Sequence, residues 1–345
     1  MRPPTFFEFV HDQWSTVPPV VTADLTGKTV VVTGSNTGLG FEAAKHFAKM
    51  NPAKLILACR SKQRGETALA KLRAETGYDG AEVWLVDQAD FSSVKAFADK
   101  FLKEEDRLDC LMLNAAIAIQ GYTSTTDGWE SVLQVNHLST ALLALLLLPR
   151  MIETARRHSV TPRLVIISSD THHRTTFDQQ VRDSEEPLKI LGSKEYCTPE
   201  IMGRRYPETK LLNVFFVRAL ADRLANLPII VNAVNPGYAH SELRRNVKSW
   251  ALYIRFLLMD ALLAIPTEKA SRRLIWGATG GTEDEEILRG AYISSSHPGV
   301  KEPSDFVIGE QGQMMQEKLW KETLSILSKV DARITETATQ VLPRD

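Results

Sequence analysis

Short apolar runs rich in β-branched residues alternate with helix-periodic segments along most of the chain. That alternation constrains the fold more than any other feature. Extended runs lie at 29–33, 54–58, 82–86, 108–113, 163–167 and 229–234. Helical spacing appears between them, at 39–50, 64–75, 92–105, 129–155 and 206–225. A pattern of this kind predicts a parallel sheet with helices on both faces. Right-handed crossovers make such a sheet doubly wound. A last strand at 291–294 brings the sheet to seven, and helices follow the sixth strand near 267–278 and the last at 311–330. The fold class is therefore α/β: a single doubly wound domain with a seven-stranded, mostly parallel sheet. Its expected bounds are 28–330, after an extension at 1–27 and before a loosely held tail at 331–345. Two segments break the rhythm, 170–205 and 238–266, and read as insertions.

Composition removes several functional classes. With 345 residues, 43% of them hydrophobic, the chain can bury a substantial core. Its formal net charge of −1 gives no electrostatic reason to expect nucleic acid or an anionic membrane as partner. The longest apolar run, 141–148, is too short to span a bilayer. The N-terminus has no apolar signal core, and Cys59, Cys110 and Cys197 have no paired spacing. These features lead to an expectation of a reducing, cytoplasmic setting with buried thiols and no disulfides. The apolar stretch 250–265 carries Arg255 and Asp260. It reads as a lid, a partner face or a peripheral membrane contact. Phe6, Phe7, Phe9, Val10 and Trp14 could form one apolar stripe on an N-terminal helix.

Residues with chemical potential gather where strands end. The first strand runs into Thr33-Gly34-Ser35-Asn36-Thr37-Gly38-Leu39-Gly40, which opens a helix. Glycines there permit a tight turn and close approach to a pyrophosphate at the helix N-terminus, or serve packing alone. After the second strand comes Arg60-Ser61, with no acidic residue to take ribose hydroxyls. Arg60 is either a solvated charge or, as favoured here, a clamp on a 2′-phosphate with Ser61 assisting, which selects NADP(H). Asp87-Gln88 follow the third strand; Asp87 could contact adenine or cap the next helix. Asn114-Ala115-Ala116 follow the fourth strand, Ser168-Ser169 the fifth and Pro236-Gly237 the sixth, with Ser241 just beyond. Asn136 is an amide inside an apolar helix, costly unless hydrogen-bonded. Open α/β sheets bind ligands at this carboxyl edge.

Tyr206 and Lys210 stand one helical turn apart. A phenol titrates at about 10, and bringing it to 7 takes ~4 kcal/mol. An ammonium ~4 Å away supplies about that much at an effective dielectric near 20, and far less in bulk water. The pair can therefore act as an acid/base in a sheltered site. Pro207 suggests that the helix begins close to Tyr206. The neighbouring His172-His173 are tempting as metal ligands, but no third ligand stands at metal spacing, so no metal is expected.

Together, the Gly34/Gly38/Gly40 loop, Asn114-Ala115-Ala116, Asn136, Ser169, Tyr206-x-x-x-Lys210 and Pro236-Gly237 resemble the short-chain dehydrogenase/reductase family. The resemblance runs from about residue 27 to 327. Within the family the chain resembles the retinol-dehydrogenase-like branch and fungal members of secondary-metabolite pathways, through Ala58-Cys59-Arg60 and Gln134-Val135-Asn136-His137-Leu138. The resemblance implies a Rossmann fold and a catalytic tetrad of Asn136, Ser169, Tyr206 and Lys210. In it Tyr206 is the proton donor or acceptor, Lys210 lowers its pKa and holds the nicotinamide ribose, and Ser169 orients the substrate oxygen. Asn136 holds a water and a helix kink for proton relay.

The cofactor set then comprises Gly34, Ser35, Asn36, Thr37, Gly38, Leu39, Arg60, Ser61, Asp87, Gln88, Asn114, Ala115, Ala116, Tyr206, Lys210, Pro236, Gly237 and Ser241. The expected activity is hydride transfer between NADP(H) and a ketone or secondary alcohol of a mid-sized apolar molecule, such as a polyketide or terpenoid. A retinoid- or steroid-like alcohol dehydrogenase shares every motif. A non-redox isomerase, dehydratase or pericyclic catalyst on the same fold is a further class, as is a binding protein with a vestigial site. One departure is the 37 positions from Ser169 to Tyr206, more than compact members of the family have. The expected assembly is a monomer or a homodimer.

Overall fold

The computed structural model describes residues 5–240, 243, 257, 259–281, 284–294 and 299–340. Its sheet has the order β3-β2-β1-β4-β5-β6-β7-β8. The strands are β1 (Thr29–Thr33), β2 (Lys54–Cys59), β3 (Ala81–Leu85), β4 (Cys110–Leu113), β5 (Arg163–Ile167), β6 (Ile230–Val234), β7 (Tyr292–Ile293) and β8 (Val300–Lys301). All neighbours pair in parallel except β7 and β8. The sequence leads to seven strands. The eighth is a two-residue antiparallel edge, too short to leave a period in the sequence.

Alternation along each strand sends side chains to two separate cores. From β1, Val31 enters one core while Val30 and Val32 enter the other. From β5, Leu164 and Ile166 go one way, Val165 and Ile167 the other. The first core packs under helices Phe91–Glu104, Ser131–His158, Pro199–Arg223 and Glu310–Val330; the second under Gly38–Lys49, Lys62–Thr76 and Thr267–Thr279. Both faces of the sheet are thus covered, which is why its strands are apolar on both sides. The helix Ser131–His158 is long and apolar enough to cross a membrane, but 94% of its most apolar window is buried within the protein. It is a core helix.

Two segments depart from the reading above. The helix bearing Tyr206 begins at Pro199, not near Tyr206, so Pro207 lies inside it. Proline there costs a hydrogen bond to the carbonyl four residues back. That residue is Gly203, which is exposed, so water can replace the missing partner. The tail forms a helix, Arg333–Gln340, whose Ile334 is fully buried in the first core. The N-terminal helix Phe6–Trp14 starts with a capping box at Thr5 and Glu8. Its Gln13 donates to the carbonyls of Tyr238 (2.7 Å) and Leu263 (2.9 Å), fixing the extension to the chain after β6. Of the apolar stretch 250–265, the greater part before residue 259 lies outside the described residues.

Candidate active site

Because β1 to β6 run in one direction, their carboxyl ends share one edge of the sheet. The glycine-rich turn is fastened there by Thr33 and Asn114. Thr33 Oγ1 accepts from the backbone N–H of Asn114 (3.0 Å) and Ala115 (3.1 Å). Asn114 Nδ2 donates to the carbonyls of Thr33 (3.0 Å) and Gly34 (3.2 Å). A Cβ on Gly40 would stand 2.5 Å from both Asn114 Nδ2 and the Gly34 oxygen, so glycine is required there by close approach.

The residues present fit a dinucleotide. Gly38 has φ +60°, and a Cβ there would meet nothing within 4 Å, so its backbone faces open space at the N-terminus of helix Gly38–Lys49. Ser35 is fully buried, and its hydroxyl has no hydrogen-bond partner among the described residues. Arg60 is exposed just beyond β2 and makes no ion pair with any described residue. Ser61 Oγ caps the following helix by accepting from Arg64 N–H at 3.4 Å. Asp87 closes a tight turn by accepting from Ala89 N–H at 3.0 Å; the helix cap is Asp90 instead.

Gln88 is placed differently from the expectation that it contacts cofactor. Its side chain is buried and donates to the Val135 carbonyl (3.2 Å) and Thr140 Oγ1 (3.1 Å). An amide beside an apolar helix finds its partners there rather than at the open edge. Ser241 lies outside the described residues. Gly237 has φ +80° and donates its N–H to Asn235 Oδ1 at 3.0 Å; Arg273 donates to the Pro236 carbonyl at 2.7 Å.

Asn136 sits in a π-turn, Gln134–Leu138, inside the helix Ser131–His158. Such turns often mark functional sites. Its side chain is fully engaged: Oδ1 accepts from Ile117 N–H (2.8 Å), while Nδ2 donates to the Ile117 carbonyl (2.9 Å) and Thr209 Oγ1 (3.0 Å). Asn136 thereby joins the loop after β4 to the residue preceding Lys210. Lys210 is 2% exposed and donates from Nζ to the Ile167 carbonyl at 2.7 Å. Ser168 Oγ donates to the Lys210 carbonyl at 2.9 Å, tying the same helix to the end of β5. The Lys210 ammonium lies 5.4 Å from the Tyr206 ring centre. Burial pushes the lysine down from its ordinary 10.5 to about 7.

Ser169 caps the turn Asp170–Arg174, which packs against the Tyr206 helix. His172 is structural in this turn: Nδ1 meets the Ser169 carbonyl at 2.7 Å, and Nε2 accepts from Ser304 N–H at 3.3 Å. Among the described residues no group of three His, Cys, Asp or Glu side chains is placed to hold a metal ion. Beside Tyr206, Arg205 and Glu208 are fully buried and meet at 2.8 Å. Arg205 also lies 3.4 Å from Glu130, the residue that caps the Asn136 helix. Burial pushes Glu208 up to about 7 despite its two arginine neighbours. The linking roles of Thr33, Thr209 and Gln13 have no spacing signal in the sequence; each depends on a partner distant in the chain.

The comparisons with known proteins agree with this geometry. The short chain dehydrogenase family model matches residues 28–180. A short chain dehydrogenase/reductase of Cryptosporiopsis, dmxR8, is 35% identical over 331 residues, covering 95% of this chain and 98% of its own length. The Penicillium roqueforti short-chain dehydrogenase anuD is 35% identical, with 93% and 83% covered. Mouse retinol dehydrogenase 12 is 36% identical over 270 residues, 78% of each chain. Among solved structures, a Mycobacterium paratuberculosis protein of 26% identity superposes with a TM-score of 0.64, covering 90% of this chain and 98% of that one. With relatives this similar along nearly its whole length, the chain belongs to the short-chain dehydrogenase/reductase family.

Proposed function

We propose that the protein is an NADP(H)-dependent oxidoreductase that interconverts a ketone and a secondary alcohol on a mid-sized apolar substrate, acting in the secondary metabolism of a fungus. The observation that carries this reading is the buried Lys210 ammonium 5.4 Å from the Tyr206 ring, on the edge that holds the glycine-rich turn. Bound NADP(H) supplies or receives the hydride. The chain's own residues manage the proton and the position. Tyr206 gives its proton to the substrate oxygen in reduction and takes it back in oxidation. Lys210 favours the phenolate through its charge in a site with little water. Ser169 fixes the oxygen, and Asn136 holds the Thr209–Lys210 backbone in register with the loop after β4. Ser35, Gly38 and the helix behind them would take the pyrophosphate, and unpaired Arg60 the 2′-phosphate.

Fungal relatives such as anuD and dmxR8 support the metabolic setting. The likeness to retinol dehydrogenase 12 favours a second reading, an apolar primary or ring alcohol as substrate. The test is a panel of acetophenone, 2-tetralone, 2-decalone and retinal with NADPH or NADH, followed at 340 nm in absorbance. Turnover with NADPH that is lost in Tyr206→Phe supports the reading. Turnover that survives Tyr206→Phe, or is faster with NADH, defeats it.

A further inference from the structure

Among the described residues the hydrogen bonds of Ser169 can be counted. A serine hydroxyl offers one donor and two lone pairs. Thr171 N–H occupies one lone pair at 3.3 Å. The Ser169 proton goes to Asp170 Oδ1 at 3.2 Å. One lone pair is left. It can accept from an alcohol O–H, but it cannot donate to a carbonyl.

Asp170 is placed to change that count. It faces Arg174 on its own turn, Arg273 on the helix Thr267–Thr279 and Tyr292 on β7. Asp12 of the N-terminal helix faces Arg273 from the far side. Arg273 is buried, uses Nη1 on the Pro236 carbonyl, and has no hydrogen-bond partner for Nε and Nη2 among the described residues. His172 and His173 meet the Tyr292 ring edge-on, with ring centres 4.6 and 5.7 Å away. Burial raises the Asp170 carboxyl above its ordinary value, and the two arginines oppose that rise.

We propose that Asp170 is a positioning residue that sets the polarity of the Ser169 hydroxyl toward substrate. As a carboxylate it takes the Ser169 proton and leaves an acceptor, which suits a bound alcohol. As a carboxylic acid it donates its own proton to the Ser169 oxygen. Both serine lone pairs are then filled, and the serine proton is released to a ketone or to the oxyanion of the transition state. No proton is gained or lost beyond the one on Asp170. The inference rests on the reading that Ser169 meets the substrate oxygen.

The experiment uses the NADPH complex and 2-tetralone, with its alcohol as a competitive inhibitor on the same enzyme form. In the wild type, kcat/KM for the ketone falls with rising pH through the ionisation of Tyr206 and, separately, through that of Asp170, each about tenfold per pH unit. The inhibition constant of the alcohol tightens through the Asp170 ionisation, the opposite trend. In Asp170→Asn, whose amide can donate permanently to Ser169, the alcohol trend vanishes and the ketone profile keeps only the fall that belongs to Tyr206. Should that variant not fold, Arg273→Met serves: loss of the cation moves both trends upward by roughly one pH unit. Tightening of the alcohol that persists in folded Asp170→Asn, that stays in place in Arg273→Met, or that is absent from the wild type overturns the inference. The reading beneath it stands in those cases provided Tyr206→Phe is inactive. Absence of turnover with any ketone of the panel overturns both.

Discussion

Lys210 holds its ammonium 5.4 Å from the centre of the Tyr206 ring while donating to the Ile167 carbonyl at 2.7 Å. A cation this deeply buried opposes folding. Its pKa is 10.5 when free and about 7 in the fold, so the folded chain binds fewer protons. The sign follows: the fold is unburdened above pH 10.5, loses stability as pH falls towards 7, and loses no more below. At ~1.4 kcal/mol per pH unit the burden approaches ~5 kcal/mol. Lys210→Met is therefore expected to be inactive yet more heat-stable than wild type at pH 7, with the gap shrinking by pH 9.5. Thermal melts of cofactor-free protein at both pH values check this.

The glycines of the first turn separate two causes. In Gly40→Ala the new methyl collides with Asn114 Nδ2 and the Gly34 carbonyl at 2.5 Å, so stability falls by about 1–3 kcal/mol. In Gly38→Ala the methyl meets no protein atom but the backbone is held at φ +60°, costing about 1–2 kcal/mol and filling the space proposed for cofactor. Urea unfolding and NADPH titration should show both variants weakened in binding. Adding NADPH should rescue the stability of neither.

Arg60 is the proposed selector of cofactor. Replacing it with Ala should raise KM for NADPH by roughly tenfold to a hundredfold, leaving KM for NADH nearly unchanged. High salt should narrow the difference in the wild type. A ratio of the two KM values that does not move in Arg60→Ala would remove the argument for NADPH.

Asn136→Ala leaves the half-buried Ile117 N–H and carbonyl without their partner, while the Thr209 hydroxyl keeps its bond to the Tyr206 carbonyl at 2.8 Å. The expected cost is about 1–3 kcal/mol in urea unfolding for each group left unpaired. A lowered kcat should accompany it, because Thr209 precedes Lys210.

Local pattern made the sheet legible. Strands with strong apolar runs, such as Thr29–Thr33 and Arg163–Ile167, stand where periodicity puts them. The edge on which Gly34, Asn114, Ser169 and Gly237 meet follows from strand direction alone. What was hidden depends on distant partners. The π-turn around Asn136 has Gln88 from the β3 end on its Val135 carbonyl, and no spacing within residues 131–158 announces it. The early start of the Tyr206 helix is masked by Pro207, a residue that local rules treat as a boundary. Asp170 has no signal in the sequence, because a carboxylate next to a serine carries no period at all.

The Gln13 clamp carries a kinetic consequence. Gln13 leaves the ribosome well before its partners Tyr238 and Leu263, which lie 225 and 250 positions later. Closing so long a loop is slow, and nothing rewards it until β6 has been laid down. The extension must therefore wait undocked until the chain after β6 has been made. A nascent chain can assemble its glycine-rich turn long before that, so cofactor affinity should be acquired earlier in biogenesis than the finished substrate mouth.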